Sequence, residues 1–149
     1  MNERELLLDC LRRLNRTGVA SDFYVDPIAI RQAYKPPHQF NLIDNRSALK
    51  VDFWLLKNEP FEREMFNRRI QVQIGGEPAT IGTAEDILLH KLLWNAISPS
   101  ERQIGDAAGI FAIQRDSLDR AYLERWAEIL NVKHQLFDIL SGKSKPKTT

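Results

Sequence analysis

A chain of 149 residues, 43% apolar and 28% charged, is long enough for a buried core and reads as one globular domain. Its formal net charge of +1 excludes a general attraction to nucleic acid or to an anionic membrane and leaves a local basic patch open. A lone cysteine, Cys10, excludes an internal disulfide; no apolar run reaches the length of a membrane span and the charged start is no signal peptide, so a cytoplasmic protein is expected.

Residues 2–15 read as a helix, with Asn2 as cap, Glu5 three positions on, and Leu7, Leu11 and Leu14 at helical spacing. Cys10 lies among these leucines as a small buried hydrophobe, and Thr17-Gly18 ends the helix. Phe23-Tyr24-Val25 is a short β-prone run. Asp26-Pro27 starts a helix, because aspartate caps and proline fits the first helical position; it stops before Pro36-Pro37. Phe40 and Leu42 alternate with Asn41 and Ile43, and Asn45-Arg46-Ser47 turns the chain into a hairpin.

The second arm of that hairpin, residues 48–56, is the most informative stretch. Leu49, Val51, Phe53 and Leu55 face one way; Ala48, Lys50, Asp52 and Trp54 face the other. So apolar a strand is expected inside a sheet, not at its edge, and aspartate is disfavoured in strand interiors. Asn58-Glu59-Pro60 opens a short charged helix to about Phe66. Ile70, Val72 and Ile74 alternate with Gln71 and Gln73 as a third strand, Gly75-Gly76 turns the chain, and Thr80-Ile81 adds a few sheet residues.

From Thr83 the pattern is helical. Thr83 caps, with Glu85 and Asp86 favouring the helix N-terminus. Ser98-Pro99 starts a helix with Ile104, Ala107, Ala108, Phe111 and Ala112 as its buried stripe, and Gly105 and Gly109 at i,i+4 predict a close helix–helix approach. Ser117-Leu118 opens the next, and a last helix covers about 132–141. The expected class is α+β: a small mixed or antiparallel sheet of three to four strands, helices on one face, and a C-terminal helical bundle, all in one domain over residues 1–142, with a disordered tail over 143–149. The sheet's open face would show Lys50, Asp52, Gln71 and Gln73.

On that face a carboxylate beside polar groups can hold Mg²⁺, although one carboxylate is a thin site; a surface Lys50–Asp52 pair is the plainer reading. Lys91, among apolar neighbours, either snorkels or reaches a phosphate. Arg102 and Asp106 form an i,i+4 pair. His38, His90 and His134 lack metal-ligand spacing and read as structural or solvated. There is no nucleophile elbow, P-loop or zinc cluster.

Phe40-Asn41-Leu42-Ile43-Asp44, Lys50-Val51-Asp52-Phe53 and Thr83 to Trp94, followed by Ser100 to Asp106 and Tyr122 to Ala127, together resemble bacterial nucleotidyltransferase-fold proteins, in the group of abortive-infection toxins and minimal nucleotidyltransferases. The resemblance runs from about Asp22 to Leu140. It implies that Asp52 matches the third metal-binding carboxylate of that superfamily and that Lys91, with Glu85 nearby, matches a helix that contributes a lysine to the site. Arg102 and Asp106 match a charged pair on the next helix; with Lys50 and Glu85 they are the expected nucleotide-binding residues, and Asp52 and Lys91 the expected catalytic ones. The superfamily's Gly-Ser turn and Asp-x-Asp strand should precede Asp52 and are missing. Gly75-Gly76 comes too late, and Asp22 and Asp26 flank a different strand.

The expectation is therefore a truncated, catalytically inactive nucleotidyltransferase-like protein in which Asp52 is a remnant metal ligand. One alternative is a Mg²⁺-dependent nucleotidyltransferase of toxin–antitoxin type, transferring a nucleotide to RNA or protein and completed by a partner chain or second protomer covering the sheet. Another is a non-enzymatic, antitoxin-like interaction module, for which convergence of Lys35, Lys50, Arg68, Arg69 and Lys91 would point to RNA or nucleotide. No membrane partner is expected.

Overall fold

The chain folds as an α+β protein whose Cα trace divides into two compact units, Met1–Asn58 and Glu59–Thr149. The computed structural model describes residues 22–35 and 38–146. The helix expected over 2–15, with Cys10, and the last three residues of the tail lie outside them.

In the first unit, β1 (Phe23–Val25), α1 (Pro27–Gln32), β2 (Gln39–Asp44) and β3 (Lys50–Trp54) follow in order. The strands form an antiparallel sheet in the order β1-β2-β3. Asp26 caps α1 as expected, its carboxylate accepting from the Ile28 amide at 2.8 Å. The helix lays Ile30 and Ala33 on Phe40 to form the buried core among this unit's described residues, with Val25, Ala29 and Leu55 packed against it. Phe40 also stacks on Phe53, directly opposite on β3, with ring centroids 4.9 Å apart and planes 5° from parallel. This stack sets which face is apolar. Lys50 and Asp52 therefore share the other face with Asn41.

Asp44 closes the β2–β3 turn, accepting from Ser47 Oγ at 2.7 Å and the Arg46 amide at 2.9 Å. Those bonds, Ser47 first, hold its carboxyl below the ordinary value. Ala48 completes the turn at φ +57°, a left-handed conformation that crowds its Cβ.

One expectation is corrected here. β3 is not an interior strand: β2 takes the middle because β1 pairs with its far side, and β3 pairs only with β2 among the described residues. All five β3 residues are exposed.

The second unit starts with α2 (Pro60–Asn67) and the hairpin β4 (Ile70–Ile74) and β5 (Glu77–Ile81), followed by α3 (Ala84–Ile97), α4 (Glu101–Gln114), α5 (Arg120–Ile129) and α6 (Lys133–Leu140). Gly75 and Gly76 have φ of 61° and 88°, as a two-residue hairpin turn with both central residues left-handed requires. β4 was expected beside the strand of Asp52. It pairs instead with β5 in a two-stranded sheet of its own, because a two-residue turn brings that partner alongside with minimal loop closure. Gln71 and Gln73 thus do not extend the sheet that carries Lys50 and Asp52.

Leu88, Leu89 and Leu92 of α3, Ala107, Ala108 and Phe111 of α4, Leu123 and Trp126 of α5, and Leu136 and Ile139 of α6 share one apolar core. Ala112, expected in the α4 stripe, is exposed. A Cβ at Gly109 would meet nothing within 4 Å, so the close approach expected from the Gly105/Gly109 spacing does not involve Gly109. Asp119, two residues beyond the expected start, caps α5 by accepting from the Tyr122 amide at 2.9 Å.

Truncating Leu123, fully buried at the centre of this core, to alanine is expected to lower stability by about 2–5 kcal/mol, read from urea unfolding of the helical signal. Ala48→Gly relieves the left-handed strain in the β2–β3 turn and is expected to stabilise by about 0.5–1 kcal/mol, read as a higher denaturation midpoint.

Candidate functional site

The site residues expected from sequence fall into two groups, one in each unit. On β3 the strand pleat puts Lys50 and Asp52 on one face, and Lys50 Nζ lies 3.1 Å from Asp52 Oδ1. Both side chains are well exposed, at 53% and 38%. Asn41 stands across from Asp52 in the register, and its side-chain oxygen accepts from Gln39 Nε2 at 3.3 Å. This donor set does not fit Mg²⁺. The ion takes several oxygen ligands in tight octahedral geometry, and here one carboxylate is shared with an ammonium that repels a dication.

In the second unit, Lys91 of α3 donates to Asp106 Oδ2 of α4 at 2.8 Å, tying two packed helices together at their half-exposed margin. The structure thus joins two of the expected residues that sequence had placed in separate roles. Arg102, one turn earlier on α4, is exposed. Glu85 is buried; its Oε1 accepts from the Asp119 amide at 2.9 Å and its Oε2 lies 3.6 Å from Arg68. Of the basic residues considered for RNA, Arg68, Arg69 and Lys91 go to different partners within this unit. Arg69 lies over the Phe66 ring, 3.3 Å from its centroid.

The strongest polar cluster was not singled out from the sequence. Asp86 is fully buried. Its Oδ2 accepts from Thr83 Oγ1 at 2.7 Å and Arg68 Nε at 3.3 Å, and its Oδ1 accepts from the Tyr122 hydroxyl at 2.5 Å. The Arg68 guanidinium also covers the Tyr122 ring, 3.7 Å from its centroid. A buried carboxylate is tolerated only when charge and hydrogen bonds replace lost water, and here three donors do so. Burial, the hydrogen bond to Asp86 and that carboxylate's charge, in that order, push the Tyr122 pKa well above its ordinary 10.0. The cap signal at Thr83 was visible in sequence; Arg68 and Tyr122, 18 and 36 residues from Asp86, carried no local sign.

Other features of the same unit lie away from this cluster. Trp94 donates its indole N–H to His90 Nε2 at 3.0 Å. A shallow groove of about 460 Å³ opens over the α3–α4 connection, lined by Asn95, Pro99, Ser100, Glu101, Ile104 and Lys145 among others. Lys143 and Ser144, in the segment expected to be a disordered tail, hold Asp138 at 3.1 and 2.9 Å. Among the described residues, no group of three His, Cys, Asp or Glu side chains converges on a point. No described helix is long and apolar enough to cross a membrane.

No family model, curated protein or solved structure matches this chain.

Replacing Asp86 with asparagine leaves the Tyr122 hydroxyl without its anion and Arg68 with Glu85 alone, and is expected to cost about 3 kcal/mol in chemical unfolding. Tyr122→Phe strands one carboxylate oxygen and is expected to cost about 1–3 kcal/mol at neutral pH. The pH profile separates this role from simple packing. The Tyr122 pKa is raised on folding, so the stability it contributes is complete below 10.0, where the unfolded tyrosine ionises, and drains away as pH climbs further. Urea midpoints measured from pH 8 upward should fall more steeply beyond pH 10 in the wild type than in Tyr122→Phe.

Proposed function

We propose that this chain is a nucleotidyltransferase-like protein that does not transfer nucleotides by itself and acts as a binding partner. The resemblance in its ordered motifs supports the ancestry. One observation supports the loss of catalysis: the group beside Asp52, which that resemblance assigns to metal binding, is the Lys50 ammonium at 3.1 Å and not a second carboxylate. The lysine assigned to the same chemistry, Lys91, is likewise held by Asp106 at 2.8 Å. A nucleotidyl-transfer centre needs carboxylates that clamp cations and a cation free to meet phosphate; each of these groups instead meets an opposite charge from its own unit.

A second reading is an enzyme completed in trans, favoured by the outer edge of β3, on which Asp52 sits and with which no described strand pairs. A short partner bearing Gly-Ser and Asp-x-Asp would then bring the missing carboxylates, and Mg²⁺ would be needed only in that assembly.

Incubation of the purified chain with labelled nucleoside triphosphates, Mg²⁺ and RNA or protein acceptors is expected to give no labelled product. Product that disappears in Asp52→Ala would overturn the proposal. Product formed only after a co-purifying short chain is added would establish the second reading.

A further inference from the structure

We propose that two copies of this chain join edge to edge through β3, forming one continuous six-stranded antiparallel sheet held by reciprocal Lys50–Asp52 pairs. The proposal does not rest on the catalytic reading above. It starts from a hydrogen-bonding edge with which no described strand pairs. The Asp44 amide donates to Leu49 O, and the Leu55 amide donates to His38 O, each at 2.8 Å. These bonds turn the backbone groups of the odd-numbered residues of β3 towards β2. The N–H and C=O of Lys50 and Asp52 therefore point away from the sheet, where no described strand pairs with them. The same edge is apolar on its other face: Leu49, Val51 and Phe53 are 67%, 49% and 38% exposed. Exposed, hydrophobic, unblocked edge strands pair with other strands.

The choice of a second copy as occupant comes from charge and register. In an isologous antiparallel contact every residue meets its mirror position about a two-fold axis. With the axis at Val51, Lys50 lies opposite Asp52 of the partner, and Asp52 opposite the partner's Lys50. These two are also the residues whose backbone groups point outward, so the charged pairs coincide with the hydrogen-bonded pairs of the new ladder. On the opposite face Val51 meets itself and Leu49 meets Phe53, apolar against apolar. Moving the axis to Lys50 or to Asp52 puts like charges face to face, which is unfavourable directly across a ladder. The pattern Leu-Lys-Val-Asp-Phe is thus its own complement in one register. The intrastrand contact of Lys50 with Asp52, half-exposed at 3.1 Å, is easily exchanged for the intermolecular pair.

The test uses the full chain in sedimentation equilibrium up to roughly 100 µM. Wild type is expected to be dimeric. Lys50→Asp and Asp52→Lys each place like charges across the two-fold axis, and each alone is expected to weaken the dimer at least about tenfold. Mixed in equal amounts, the two variants present only unlike pairs and are expected to restore association as a heterodimer. Far-UV circular dichroism checks that each remains folded. Should a single variant fail to fold, the double variant Lys50→Asp/Asp52→Lys, which keeps the pattern with signs exchanged, is expected to dimerise like wild type. Hydrogen exchange locates the contact: the Lys50 and Asp52 amides should be protected at high concentration and exchange freely on dilution. A monomeric wild type, a dimer indifferent to the single reversals, a mixture that does not reassociate, or unprotected Lys50 and Asp52 amides in the dimer would each overturn the proposal.

Discussion

A carboxylate with no access to water organises the larger unit. Asp86 sits at the start of α3, fully buried, and a charge there survives only if the chain surrounds it with donors. The three that do so come from separate places: Thr83 at the helix cap, Arg68 at the end of α2, and Tyr122 in the first turn of α5. Glu85 repeats the device one residue earlier, taking the Asp119 amide that begins the α5 cap. The result is a polar knot that fixes where three helices begin or end, while Leu88, Leu89 and Leu92 on the same helix fill the core. Arg68 is shared between two carboxylates and an aromatic face, so its orientation is determined from three sides. Burial alone would let these helices slide, since apolar contact has no direction. Directional bonds to one buried anion do not.

Among its described residues the smaller unit has no comparable device. Among the described residues its buried core is Ile30, Ala33 and Phe40, and the six-residue α1 is too short to cover the apolar face of three strands. Phe53 is partly sheltered by stacking on Phe40; Val51 and Leu49, further along, are left open. What remains exposed is concentrated on β3, which joins an apolar face to an unpaired backbone edge. Partner surfaces are built from such leftovers.

Much of the local structure could be read from residue order. Asp26-Pro27, Gly75-Gly76 and Thr83 act through their nearest neighbours, and each forms the cap or turn its chemistry predicts. The α+β class follows from alternation giving way to helical spacing. Alternation reports which face a side chain takes, however, and not which strand lies alongside. Alternation alone therefore predicts β3 inside a sheet with β4 beside it, whereas among the described residues β3 is an edge and β4 belongs to another hairpin. The polar knot escaped for a related reason. At the start of a helix an acidic pair has a sufficient local explanation in the helix dipole, and nothing nearby signals that Arg68 and Tyr122 will close over one of the two. Lys91 and Asp106 were each noticed, yet their bond spans fifteen residues and needed the packing of α3 on α4 to form.

The same two residue types, a carboxylate and a cation, thus serve opposite ends in the two units, and the difference is solvent. Around Asp86 water is excluded, the field of Arg68 is poorly screened, and removing either partner strands a charge; such a pair is committed and cannot also serve a ligand. Lys50 and Asp52 lie in water on an edge strand, where an ion pair contributes about 0–1 kcal/mol and can be exchanged for another at little cost. Recognition needs groups of that second kind, which are oriented by the backbone but not bound to their present partner. By that criterion β3 carries exchangeable groups: the pleat fixes the spacing of Lys50 and Asp52, and the outer edge, unpaired among the described residues, supplies the hydrogen bonds that would accompany any exchange.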